Sequence, residues 1–89
     1  MTNENEAEEP TVSLCLRAVT ELDPNALARI LGFFQNLNII PRRVIAERGT
    51  GDTLYIRIDV TGLTEDRLSL ITAKTAQLTG VAQAHWHRL

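Results

Sequence analysis

Apolar and polar residues alternate along the chain in a way that predicts four strands. Over residues 12–18 every second position is apolar, and the same period-two pattern returns over residues 54–60. Side chains two residues apart point to the same face of a strand, so each stretch predicts a strand with one buried face. Shorter apolar runs predict two more strands, over residues 39–47 and 81–88. The residues expected on the inward faces of the first and third strands are Val12, Leu14, Leu16, Ala18, Leu54, Ile56, Ile58 and Val60.

Two helices are predicted between these strands, because each has clear start and stop signals. Asp23 is a good N-terminal cap, and Pro24 after it suits the first helical position. Thr64 caps the second helix in the same way, while Asn38 and Gly80 are suited to the left-handed backbone that ends a helix. The first helix has an apolar stripe formed by Leu27, Ile30, Leu31, Phe34 and Leu37. The second has a stripe formed by Leu68, Ile71, Thr75 and Leu78.

The order of these elements predicts an α+β fold of the ferredoxin-like type. Each helix is preceded by a leucine that can pack on a leucine in its first turns, Leu22 on Leu27 and Leu63 on Leu68. Together, the predicted strands and helices form two strand-helix-strand units, in the order βαββαβ. Right-handed crossovers place both helices on one face of a four-stranded antiparallel sheet. The opposite face has no helices and is available to a partner.

The turn residues say where the second strand lies in that sheet. Pro41 has no amide hydrogen for the strand ladder, so we expect the second strand at an edge of the sheet. Gly49 and Gly51 lie between the second and third strands, where they predict a tight hairpin loop.

Composition and charge narrow the classes of function. Residues 1–10 are polar and acidic, and we expect a disordered tail there, followed by a single domain over residues 11–89. Cys15 is the one cysteine of the 89 residues, which excludes an intrachain disulfide and suits a reducing compartment. The acidic start differs from a signal peptide, and no apolar run has the length of a membrane span. We therefore expect a cytoplasmic protein that does not bind membranes.

Nucleic-acid binding is not expected either. All but one of the nine basic residues are arginines, but they are scattered through the predicted elements. Aromatic residues make up only 4% of the chain, too few for a surface on which bases stack.

Two groups of residues have side chains capable of chemistry. Cys15 on the first strand, with His85 and His87 on the last, could form a nucleophile–base pair or a zinc site. We favour the simpler interpretation that these are ordinary sheet residues, and expect no catalytic residue and no metal. Arg42 and Arg43 could bind an anion or a partner, or they could prevent uncontrolled pairing at an edge strand.

The first predicted helix carries a family resemblance. Residues 22–30 read LDPNALARI, and residues 38–40 after the helix read NII. The chain resembles ACT domains, small amino-acid-sensing regulatory modules with the approximate pattern D-x-P-G-x-L-a-x-I, a helix, and then G-x-N-I. Among them it is most similar to the short small subunits of acetolactate synthase, which share a closing Leu-x-x-Val pattern, here over Leu78–Val81.

The resemblance implies a non-catalytic regulatory module with no cofactor. It implies a homodimer that modulates the catalytic subunit of an amino-acid biosynthetic enzyme, with an amino acid as effector. The effector site lies where the first loop of one subunit meets the second strand of its neighbour. On this chain the corresponding residues are Asp23, Asn25, Ala26, Ile39 and Ile40.

Two of these positions depart from the family pattern. Asn25 replaces the loop glycine, and Ile40 replaces the asparagine that contacts the ligand in many relatives. We therefore predict that the isolated domain does not bind valine, leucine or isoleucine tightly. A freestanding ACT-type small-molecule sensor and a metal-binding ferredoxin-like protein are the alternatives.

Overall fold

A computed structural model describes residues 12–89 of the chain. The predicted disordered tail, residues 1–10, lies outside the described residues. The elements are β1 (Leu14–Glu21), α1 (Pro24–Gln35), β2 (Arg43–Arg48), β3 (Thr53–Val60), α2 (Glu65–Ala76) and β4 (Val81–Arg88). The strands form an antiparallel sheet in the order β2-β3-β1-β4. The predicted ferredoxin-like βαββαβ fold is confirmed.

The core lies between one face of the sheet and the two helices. Phe34 is the largest fully buried side chain, and Ile30 lies one turn before it on α1. Leu68 and Ile71 bring the buried stripe of α2 to the same cluster. The strand residues of this core are Leu14, Leu16, Ala18, Ile56, Ile58 and Val60, all on the inward face predicted from the alternation.

Both predicted helix starts are confirmed by their hydrogen bonds. The Asp23 carboxylate accepts from the amide of Asn25 at 2.9 Å, and the Thr64 hydroxyl accepts from the amide of Arg67 at 3.2 Å. Asn38 has a φ of 57°, the left-handed backbone expected of it. Gly80 has a φ of 90° but lies in the turn before β4, because α2 ends earlier, at Ala76.

The predicted start of the second strand was wrong. We expected a strand over residues 39–47, but β2 begins at Arg43. The amide of Ile39 still donates to the carbonyl of Phe34, so this residue belongs to the exit from α1. Pro41 has no amide to donate, and the first contact with β3 comes from the amide of Arg42 to the carbonyl of Asp59. The edge position of β2 is confirmed, since it pairs with β3 alone within residues 12–89.

Two burial predictions also need correction. Val12 is 36% exposed, because strand pairing starts only at Leu14, opposite Val60. On α1 the neighbouring Ala26 is buried while Leu27 is half-buried, so the helix is rotated slightly away from the stripe we predicted. No helix in the described part of the chain is long and apolar enough to cross a membrane.

Candidate functional site

The five predicted ligand-binding residues lie at opposite ends of α1. Asp23, Asn25 and Ala26 lie at the start of the helix, and Ile39 and Ile40 follow its end. The helix has 12 residues and is therefore about 18 Å long, at 1.5 Å per residue. One chain does not bring the two groups together, so a site built from all five residues requires two copies of the chain.

The start of α1 has little capacity left to bind an anion. Free amides at a helix N-terminus normally attract a carboxylate or phosphate. Here the Asn25 amide already donates to the Asp23 carboxylate, and the Ala26 amide donates to the Asp23 carbonyl at 3.0 Å. A ligand carboxylate would have to displace the negatively charged cap. This arrangement disfavours an amino-acid carboxylate at this position.

The end of α1 presents an exposed apolar surface. Ile40 is 88% exposed, the highest value among the large exposed apolar side chains of residues 12–89. Val44, on the edge strand β2, is also exposed. Ile40 also lines a cavity of about 390 Å³, whose full lining is Leu31, Gln35, Asn38, Ile39, Ile40 and Pro41. We call the residues that line this cavity, which include Ile40, the edge surface.

The sheet face opposite the helices is mostly polar and includes three rows of cross-strand neighbours. In order from β2 to β4, the first row is Arg43, Asp59, Cys15 and His87. The second row is Ile45, Arg57, Arg17 and His85. The third row is Glu47, Tyr55, Val19 and Gln83.

Asp59 of the first row pairs with Arg57 of the second row, a contact that we did not predict from the sequence. Its carboxylate accepts two hydrogen bonds from the Arg57 guanidinium, from Nε at 2.9 Å and from Nη2 at 3.2 Å. The Asp59 side chain is only 10% exposed, and these bonds hold its pKa below the usual value. The thiol of Cys15 and the charge of Arg43 act in the same direction. Arg57 and Asp59 are two residues apart on one strand, so their side chains lie on the same face. This spacing could have predicted their pairing.

The cysteine-histidine hypothesis is not supported by the geometry. Cys15 is fully buried. Burial raises the pKa of its thiol, and the hydrogen bond and charge of Asp59 raise it further, so the reactive thiolate is disfavoured. His87 is its direct cross-strand neighbour, whereas His85 lies opposite Arg17. Residues 12–89 contain no group of three His, Cys, Asp or Glu side chains placed to hold a metal.

A family model for the ACT-like domain matches residues 7–89, which is nearly the whole chain. The chain belongs to the ACT-like domain family. ACT domains are typically regulatory modules that bind small molecules. The family resemblance seen in the first helix and its flanks is thereby confirmed, whereas the match does not extend to the acetolactate synthase small subunit in particular. A search of curated proteins finds no match to this ACT-like chain.

Solved structures similar to this ACT-like domain come from proteins of different kinds. The C-terminal domain of the MgtC protein from Mycobacterium tuberculosis is 17% identical with a TM-score of 0.74, and the match covers 92% of each chain. The ACT domain of GTP pyrophosphokinase from Chlorobium tepidum is 15% identical with a TM-score of 0.72, covering 88% of this chain and 100% of that one. Homoserine dehydrogenase from Thiobacillus denitrificans is 23% identical with a TM-score of 0.71, and the match covers 92% of this chain but 18% of that one. At these identities the similarity shows the fold alone.

Proposed function

We propose that this ACT-like chain is a non-catalytic regulatory module that acts as a homodimer in the cytoplasm. In this proposal it modulates an amino-acid biosynthetic enzyme, in the manner of the small subunit of acetolactate synthase. The observation that carries the proposal is the edge surface. Ile40 is almost fully exposed and lines an apolar cavity near an open sheet edge. Exposed apolar surface is unfavourable in water, and association with a second copy would bury it.

The separation of the predicted effector residues supports a dimer for a second reason. Asp23, Asn25 and Ala26 can meet Ile39 and Ile40 only across an interface, because α1 lies between the two groups in one chain. A second copy on the edge surface would supply the missing half. The small size of the domain adds to the argument, since chains of this length without a disulfide gain stability from association.

Sedimentation velocity on matched variants tests the dimer. We expect the natural chain to sediment as a dimer and Ile40→Asp to sediment as a monomer, because the substitution buries a charge in the proposed interface. Leu70→Asp is the control, since Leu70 is 61% exposed on α2 and lies outside the edge surface. A natural chain that is monomeric at high micromolar concentration contradicts the proposal.

The regulatory role is tested with the catalytic subunit of acetolactate synthase from the same organism. We expect the two purified chains to sediment together and the enzyme's rate or its inhibition by valine to change. A separate titration of the chain alone with valine, leucine and isoleucine addresses the effector. We expect no dissociation constant below about 10 μM, because the Asp23 cap and the Ile40 side chain leave the ligand's charged groups poorly paired. Tight binding without a partner would favour a freestanding sensor, and no effect on the enzyme would remove the acetolactate synthase hypothesis.

A further inference from the structure

A cavity of about 480 Å³ lies at one end of the helix-free face of the sheet. Its lining residues are Ser13, Arg42, Arg43, Arg57, Asp59, Val60 and Leu89. Three of these side chains carry a guanidinium group, and one, that of Asp59, carries a carboxylate. The volume lies within the usual range for small-molecule sites, roughly 300 to 1,000 Å³. The cavity lies away from the five effector residues proposed above, none of which lines it.

The positive charge of this cavity is only partly neutralised from within. Asp59 is paired with Arg57 through two hydrogen bonds. Arg42 and Arg43 form no ion pair with any residue of the described range 12–89. The backbone at this point is fixed, because the Arg42 amide donates to the Asp59 carbonyl at 2.8 Å and Arg43 is the direct cross-strand neighbour of Asp59. Within residues 12–89, two guanidinium groups without an ion-pair partner therefore lie beside a third, on backbone that is fixed by strand pairing.

The neighbouring row adds to the positive potential. Arg57 lies directly opposite Arg17 on β1. Like charges directly opposite each other destabilise a sheet, and here Asp59 offsets the charge of Arg57. Guanidinium groups also present paired donors that match the oxygens of phosphate and carboxylate groups.

We propose that this cavity binds a small polyanion through Arg42, Arg43 and Arg57, with Asp59 holding Arg57 in place. The ligand class is a molecule with at least two adjacent anionic groups, either phosphates or carboxylates. This inference is independent of the regulatory role proposed above, since none of its residues belongs to the edge surface.

Titration of the chain with pyrophosphate, followed by NMR, tests the proposal. The sample is the 89-residue chain, so the charge of its terminal carboxyl group at Leu89 is part of the measurement. At about 50 mM salt we expect saturable one-site binding, with the Nε–H signals of Arg42, Arg43 and Arg57 shifting most. Citrate is titrated in parallel, so that preference between the two ligands separates phosphate from carboxylate recognition.

Matched glutamine variants decide whether the binding is specific. Arg42→Gln and Arg43→Gln should each weaken binding about tenfold, the effect of losing one charge-assisted contact. Arg48→Gln is the control, because Arg48 is exposed at the far end of the same strand, opposite Leu54, and does not line the cavity. Equal weakening by Arg48→Gln would mean non-specific attraction and would refute the site. Failure of both ligands to saturate at about 10 mM would also refute it.

Discussion

Replacing Phe34 by alanine tests how far this small domain depends on one side chain. Phe34 is fully buried, and its backbone carbonyl also accepts from the amides of Leu37 and Ile39 at the exit from α1. A phenylalanine buries roughly 150 to 250 Å², and its truncation in a core costs roughly 3 to 5 kcal/mol. Small domains have total stabilities near the low end of about 5 to 15 kcal/mol. We therefore expect Phe34→Ala to be close to unfolded at room temperature.

Urea unfolding at a fixed protein concentration measures this effect. With a slope of about 1 to 1.5 kcal/mol per molar, a loss of about 3 to 5 kcal/mol should lower the midpoint by about 2 to 5 M. Phe34→Leu retains most of the volume, should cost less than about 2 kcal/mol, and gives a measurable transition if the alanine variant does not fold.

The neighbouring Phe33 is the matched control. It is the same residue type on the same helix, but it is half-buried, and the Lys74 ammonium lies 6.0 Å from its ring centroid. We expect Phe33→Ala to cost about 1 to 2 kcal/mol, from partial burial and a weak cation–π contact. Equal losses for the two alanine variants would refute the assignment of Phe34 as the centre of the core.

Two further predictions concern backbone conformation and acid stability. Asn38 has a left-handed φ of 57°, so Asn38→Ala should lower the free energy of unfolding by about 1 kcal/mol, while Asn38→Gly should be neutral or stabilising. Urea midpoints measure both, and an alanine variant as stable as the glycine variant would contradict the strain argument. Asp59 has a lowered pKa, so its stabilising contribution is present above the unfolded-state value of 3.8 and is lost as pH falls through the folded-state pKa. Asp59→Asn should therefore be less stable than the natural chain at neutral pH, and its free energy of unfolding should fall less steeply in acid. If the acid dependence of the free energy of unfolding is unchanged, the pairing of this carboxylate with Arg57 does not stabilise the fold.

Local sequence signals were sufficient for most of the secondary structure. The caps at Asp23 and Thr64 act through hydrogen bonds within three residues, so their effect could be recognised directly. The alternation around Leu16 and Ile58 identified the buried face of the sheet, because side-chain direction in a strand depends only on position along it. From these signals the element order and the fold class followed.

The beginning of β2 depended on the tertiary structure instead. The apolar run at Ile39 and Ile40 reads as a strand, yet a strand exists only where a neighbour offers hydrogen bonds. That neighbour is β3, and the first bond from this segment to β3 is the one that the Arg42 amide donates to the Asp59 carbonyl. Ile40 lies beyond this point, which explains why an apolar residue is exposed there.

The burial of Cys15 and the charge of the arginine-lined cavity likewise depended on contacts between distant parts of the chain. Cys15 and Asp59 lie on the face without helices, where the sequence pattern indicates exposure, but both are buried in the structure. The excess of guanidinium groups around Asp59 arises because the hairpin brings Arg43 alongside β3. Cross-strand register sets these proximities, and register depends on pairing between residues far apart in sequence, so that local pattern alone does not determine which charges meet.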